Sequence, residues 1–159
     1  TSGTAAGLSG TPALPNGTTG TTQSPGDNSG KLATTSYVRN EIYMAWSCPV
    51  AGATTGGVSY CNWTLPAGMT ITGFDLAAST APAGCSTYPT LQVWDGTANA
   101  EVGAFSIAMT SGTNFYPQVT GSSNMAAGHL LRVKVTTGGA GCSTAPAGIV
   151  AVVTYQMQN

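Results

Sequence analysis

Side chains that could carry out chemistry are few in this chain and lie far apart in the sequence. It has five carboxylates, and three of them, Asp75, Asp95 and Glu101, fall where strand-forming residues dominate. A glycosidase needs two carboxylates flanking its substrate, and no local pairing indicates such a pair. Asp95 precedes a glycine, which is typical of a turn. The one histidine, His129, stands alone before a predicted strand and is interpreted as a hydrogen-bonded structural residue.

Motifs that mark catalytic sites are missing from the sequence. It contains no nucleophile elbow, no phosphate-binding loop and no cluster with the spacing of metal ligands. We therefore expect no catalytic residue, no metal and no cofactor, and predict that the protein is not an enzyme. A glycan-depolymerising activity stays open as the less favoured alternative, since carboxylates distant in sequence can meet in a fold.

Aromatic and neutral polar side chains favour binding instead. Saccharides pack their C–H faces on aromatic rings and hydrogen-bond to amide, carboxylate and hydroxyl groups. The chain has three tryptophans and six tyrosines. Each candidate has the alternative of packing a loop or a subunit seam. Arg132 and Lys134 share an outer strand face, which meets either solvent or a phosphate or acidic sugar. The candidate ligand-binding residues are Tyr88, Trp94, Asp95, Asn114, Tyr116 and Arg132.

The composition limits the possible partners. Only 6% of the residues are charged and 42% are hydrophobic, so neutral polar residues must cover the surface. A net charge of -1 provides no basic footprint for nucleic acid. No apolar run approaches the roughly 20 residues of a membrane span, so we expect no membrane insertion. The chain starts without a methionine or a signal-peptide pattern, and we expect it to be the C-terminal piece of a longer protein.

The four cysteines do not have the spacing of a zinc site. Two of them lie in twin phrases, AGCSTYP at 83–89 and AGCSTAP at 140–146. Twin turns at one end of a sandwich would bring Cys85 and Cys142 together, which leaves Cys48 with Cys61. Four cysteines allow three connectivities, and four reduced cysteines buried as small hydrophobes remain the alternative.

One short helix is predicted over 34–47. Val38, Ile42 and Ala45 are spaced to share one helix face, and Pro49 would stop the helix. About a dozen residues form a marginal helix alone in water, so the apolar stripe needs a partner. That partner is either the chain's own β domain or other copies of the same helix.

Residues 1–33 and 48–159 differ sharply in pattern. The first segment is rich in Gly, Thr, Ser and Pro without periodicity, which indicates an extended tether. The second alternates short strands with turns and is predicted to be an antiparallel β-sandwich of jelly-roll type. Its predicted strands are 58–65, 69–78, 90–95, 101–109, 114–119, 129–137 and 148–157.

The segment GDNSGKLATTSYV, residues 26–38, resembles the recurrent leader of tail fibres in tailed bacteriophages and phage-tail-like bacteriocins. In that family the phrase precedes the distal domain, and the fibres are trimers whose tips bind the bacterial surface. The resemblance therefore implies a homotrimer in which three copies of Val38, Ile42 and Ala45 close a neck core.

The function implied is that of a receptor-binding tip that adsorbs to a bacterial surface polysaccharide such as lipopolysaccharide. An outer-membrane protein is the other receptor class left open. The expected location is the distal end of a fibre on a virion or phage-tail-like particle, which is extracellular after lysis. A purely structural trimerising cap is the alternative function.

Overall fold

The computed structural model describes Ser24, residues 43–53 and residues 55–158. These residues form eight strands with their connections and contain no helix. The described part of the chain therefore has no helix able to cross a membrane. The strands are β1 (Met44–Val50), β2 (Ser59–Thr64), β3 (Met69–Thr80), β4 (Thr90–Asp95), β5 (Ala100–Ala108), β6 (Phe115–Met125), β7 (Leu130–Thr137) and β8 (Ala147–Met157). All seven predicted strands are present, and β1 is additional.

The strands form two four-stranded antiparallel sheets. One has the order β1-β8-β3-β6, called sheet A below, and the other has the order β2-β7-β4-β5, called sheet B. Successive strands mostly alternate between the sheets, and this connectivity matches that of a jelly roll. The predicted sandwich class agrees with this strand order, while the predicted homotrimer concerns chains beyond the one described.

A single hydrophobic core takes residues from both sheets. Alternate residues of β3 and β4 are fully buried, as the period of two in a half-buried strand requires. The largest of these side chains include Phe74 and Leu76 from sheet A with Leu91 and Phe105 from sheet B. The two sheets therefore bury their inner faces in one cluster.

The predicted helix over 34–47 is corrected at its C-terminal end. Met44 to Ser47 belong to strand β1, which pairs along its whole length with β8. Ala45, expected in the helical stripe, lies exposed in that strand opposite Thr154. Its pairing partner lies more than a hundred residues away in sequence, so local periodicity could not reveal it.

Pro49 does not end a helix but lies inside β1. An edge strand tolerates proline, because one side of its backbone has no ladder partner to satisfy. The rest of the predicted helix, with Val38 and Ile42, and the predicted tether 1–33 lie outside the described residues, apart from Ser24.

The domain has two distinct ends. At the leader end, where the chain enters at Tyr43, Leu65 hydrogen-bonds to Gly128 and His129, and Gln158 hydrogen-bonds to Gly68. The far end is made of four connections, whose described residues are 51–53 with 55–58, 81–89, 109–114 and 138–146. Hydrogen bonds such as Gly139 N to Ala53 O and Gly112 N to Pro82 O link them. These four connections contain no charged residue.

Two disulfides cross-link the domain, one between the sheets and one between two connections at the far end. Cys48 of β1 is bonded to Cys61 of β2, and Cys85 is bonded to Cys142 at the far end. This is the pairing favoured by the twin phrases. In each phrase the glycine before the cysteine, Gly84 or Gly141, has a positive φ that other residues rarely adopt.

Candidate functional site

A row of three side chains crosses the outer surface of sheet B. Trp94 on β4 lies opposite Arg132 on β7 and opposite Glu101 on β5. Opposed residues of an antiparallel pair project to the same face, so Trp94 lies between a cation and an anion. Trp46 and Trp63 stack on each other with ring centroids 5.7 Å apart and pack against the core. Trp94 is therefore the tryptophan that faces outward.

Lys134 completes this surface. Its Nζ atom lies 3.6 Å from the centroid of the Trp94 ring, in a cation–π contact. Gln92 lies opposite Lys134 and Ser106 in the next row of the sheet. We call this surface the Trp94 face and define it by Gln92, Trp94, Glu101, Arg132 and Lys134.

Arg132 reaches the surface by crossing the backbone of Gly96. A Cβ atom on Gly96 would lie 2.5 Å from Nε and 2.7 Å from Cζ of Arg132. Glycine at this turn therefore leaves room for the guanidinium group. The Nε atom of Arg132 is buried without a hydrogen-bond partner among the described residues.

Behind the Trp94 face, Asp95 anchors the β4–β5 turn. Its Oδ1 accepts hydrogen bonds from the amides of Thr97 and Ala98 at 2.9 and 3.1 Å, and its Oδ2 accepts from Nδ1 of His129 at 2.6 Å. Burial acts to raise the pKa of Asp95, but the bonds from His129, Ala98 and Thr97 outweigh it and leave this pKa lowered. Asp95 is thus a buried turn residue rather than an open ligand contact, and His129 is hydrogen-bonded as expected.

The three carboxylates of the β domain lie on different surfaces. Asp95 is 8% exposed and points to the interior side of β4, whereas Glu101 is exposed on the outer side of sheet B. Asp75 lies on β3 in the other sheet. Burial raises the pKa of Asp75. No pair of these groups faces a common substrate position.

Tyr116, predicted as a ligand contact, is a structural residue. It is 4% exposed, and its hydroxyl accepts from the amide of Thr110 at 3.1 Å and donates to the carbonyl of Thr113 at 2.8 Å. The ring and hydroxyl are both used to hold the β5–β6 turn. The sequence showed an aromatic beside a turn but not that its hydroxyl returns to that turn.

Tyr88 and Asn114 lie at the far end. Tyr88 is half-buried and follows Cys85 of the Cys85–Cys142 disulfide by three residues. Asn114 donates from Nδ2 to the carbonyl of Ala78 at 2.9 Å, and its own carbonyl accepts from the Ala78 amide. Six residues of extended chain, about 20 Å, separate Tyr88 from Trp94. These two candidates therefore belong to a different surface.

Of the predicted residues, Trp94, Asp95 and Arg132 come together at the leader end. The sequence also predicts Lys134 on the outer strand face of Arg132, whereas Gln92, Glu101 and His129 are not predicted for this group. The alternation of Arg132 and Lys134 with buried residues along one strand is the signal for Lys134, since it makes both side chains face outward. The others depend on the pairing between β4, β5 and β7. Among the described residues, no three His, Cys, Asp or Glu side chains gather as metal ligands.

Comparison with known proteins gives limited similarity. No protein-family model matches the chain, and no curated protein matches it significantly. Among solved structures, the chain is similar to a chain of the cyanophage Pam1 capsid asymmetric unit, with a TM-score of 0.45 and 19% sequence identity. The similarity covers 74% of this chain and 84% of the other. Similarity at this level does not extend to function.

Proposed function

We propose that this chain is the receptor-binding tip of a phage or phage-tail-like fibre and that it adsorbs to a bacterial surface glycan such as lipopolysaccharide without cleaving it. The leader GDNSGKLATTSYV supports the fibre assignment, since it resembles the segment preceding fibre tips. Its place is then the distal end of the fibre, outside the cell.

The observation that carries the binding function is the cross-strand row Glu101, Trp94 and Arg132. A half-exposed indole flanked by a carboxylate and a guanidinium combines an apolar surface for a sugar ring with groups that hydrogen-bond to hydroxyls. Paired strands fix the backbone positions of these groups, so no backbone order has to be gained on binding.

The test is binding of the full chain to immobilised bacterial surface polysaccharides, including lipopolysaccharide, with product release measured in the same wells. We expect binding without released sugar, and loss of binding in Trp94→Ala. Tyr88→Ala is the matched control, because it removes an aromatic residue at the far end. Loss of binding in Tyr88→Ala alone would show that the binding site lies at the far end. Released oligosaccharide would refute the non-enzymatic assignment.

The homotrimer is part of this proposal, and sheet A is the surface we assign to the subunit contact. Its outer face carries Phe115, 66% exposed, and Val150, 39% exposed. Both lie opposite Ala77 of β3, so they form one continuous apolar row. Asp75 is the charged residue of this sheet, whereas sheet B carries Glu101, Arg132 and Lys134. Burying sheet A leaves these three charges in water, which favours it for association.

Light scattering of the full chain and of residues 43–159 tests the assembly. We expect a trimer for the full chain and a lower mass for the double variant Phe115→Ser/Val150→Ser, with an unchanged circular dichroism spectrum. A monomeric full chain would refute the trimer, and an unchanged mass in the double variant would exclude sheet A as the contact.

A further inference from the structure

Arg132 and Lys134 are two cations on one face, and the described part of the chain places no matching pair of anions beside them. They lie two residues apart on β7, about 7 Å along the strand, and both are half-exposed on the outer side. Among the described residues, the ion pair is that between His129 and Asp95. No described carboxylate therefore forms a salt bridge with Arg132 or Lys134. In a chain with a net charge of -1, this concentration of positive charge is unusual.

Among the residues that the structure describes, the side chains of Arg132 and Lys134 also have no hydrogen-bond acceptor. The Nε atom of Arg132 is buried and unpartnered among the described residues. Buried donors are nearly always paired, and an exception calls for a physical cause. The ammonium of Lys134 lies over the Trp94 ring, which attracts the charge but leaves its N–H donors available.

Glu101 does not supply the missing acceptor. It lies opposite Trp94 on the β5 side, whereas Arg132 lies opposite Trp94 on the β7 side. Two strand spacings, about 10 Å, therefore separate the backbones that carry Glu101 and Arg132. The indole occupies the surface between them.

We propose that Arg132 and Lys134 together bind one anionic group, a phosphate or carboxylate carried on a sugar, beside the Trp94 ring. The guanidinium offers a planar pair of donors to two oxygens of such a group, and the ammonium acts as a second point charge. The anion binds the guanidinium from the surface side, while the indole contacts the sugar that bears it. This inference rests on the proposed glycan-binding function and names the class of glycan as acidic.

The first test needs no glycan. The full chain, labelled with ¹⁵N, is titrated at constant ionic strength with inorganic phosphate, glucuronate or glucose while the indole N–H signal of Trp94 is followed. We expect saturable shifts with phosphate or glucuronate and none with glucose. Arg132→Gln and Lys134→Gln should each weaken anion binding about tenfold, the loss of one charge-assisted contact. Equal responses to glucose and to both anions would overturn the inference.

Gly96→Ala tests whether anion binding requires the position of the Arg132 side chain as well as its charge. It leaves both cations in the chain but places a methyl group where Arg132 now lies. We expect it to weaken anion binding several-fold with little change in thermal stability. Thr113→Ala, in a far-end turn, is the control and should bind as the unaltered chain does. Full binding by Gly96→Ala would contradict the assigned role of Arg132.

The second test uses lipopolysaccharide-derived oligosaccharides that have been dephosphorylated, carboxyl-reduced or left intact. Loss of binding after phosphatase identifies phosphate, and loss after carboxyl reduction identifies a uronic-type acid. Binding that survives both treatments but is lost in Trp94→Ala would overturn the anion inference and leave the proposed function standing. Failure to bind any glycan, with no effect of Trp94→Ala on adsorption to cells, would refute the proposed function itself.

Discussion

Oδ2 of Asp95 lies 2.6 Å from Nδ1 of His129, and this contact ties the β4–β5 turn to the residue that precedes β7. The same turn contains Gly96, over which Arg132 passes. The buried carboxylate therefore supports the outer surface without touching a ligand there. Its hydrogen bonds give the first testable consequence.

Asp95 should make the fold sensitive to acid. Its pKa is lowered in the folded chain, so the ionised form stabilises the fold. That stabilisation is complete above the unfolded pKa of about 3.9 and disappears as the pH falls through the lower folded value. Urea unfolding of the native chain and Asp95→Asn from pH 7 to pH 2 should show a stability difference that shrinks below about pH 4. A difference independent of pH would contradict this role.

Asp75 should behave in the opposite way. Burial raises its pKa in the fold, so the ionised carboxylate lowers stability at neutral pH. Asp75→Asn is expected to raise the midpoint of thermal unfolding at pH 7. The gain should vanish below the unfolded pKa of about 3.9, where both states are protonated. Glu101→Gln, on the other sheet, is the control, and an equal gain there would point to general charge repulsion.

Each disulfide should stabilise the fold, and the longer loop should do so more. Cys85 and Cys142 are 57 residues apart and Cys48 and Cys61 are 13 apart. Loop-closure entropy predicts losses of about 4 and about 3 kcal/mol respectively when each pair is replaced by serine. Urea unfolding of the two double variants checks the order. Equal unfolding of oxidised and fully reduced native chains would show that neither bond contributes.

The hydroxyl of Tyr116 should matter for stability and not for binding. Tyr116→Phe keeps the buried ring and removes the hydrogen bonds to Thr110 and Thr113. We expect a loss of about 1–2 kcal/mol in the free energy of unfolding, with unchanged affinity for any glycan bound. Tyr88→Phe is the control for a half-buried phenol. A selective loss of glycan affinity in Tyr116→Phe would restore Tyr116 as a ligand residue.

The sequence by itself determined seven of the eight described strands and much of the turn chemistry of this protein. Alternating apolar residues such as Leu131, Val133 and Val135 mark a strand with one buried face, because side chains of a strand alternate between its faces. The twin phrases around Cys85 and Cys142 predicted two similar turns, and the disulfide joins them. These features are local, so a short window of sequence contains them.

Only the tertiary structure decided which residues are neighbours. Strand β1 exists as a strand because β8, from the other end of the described chain, pairs with it. Trp94 lies beside Arg132 because β4 and β7 are adjacent, whereas Tyr116 turned inward because its hydroxyl reaches its own turn. Period-two alternation shows which residues share a face of one strand, but strand order and register follow from the packing of the whole core. The Trp94 face is therefore a product of long-range pairing that no local pattern contains.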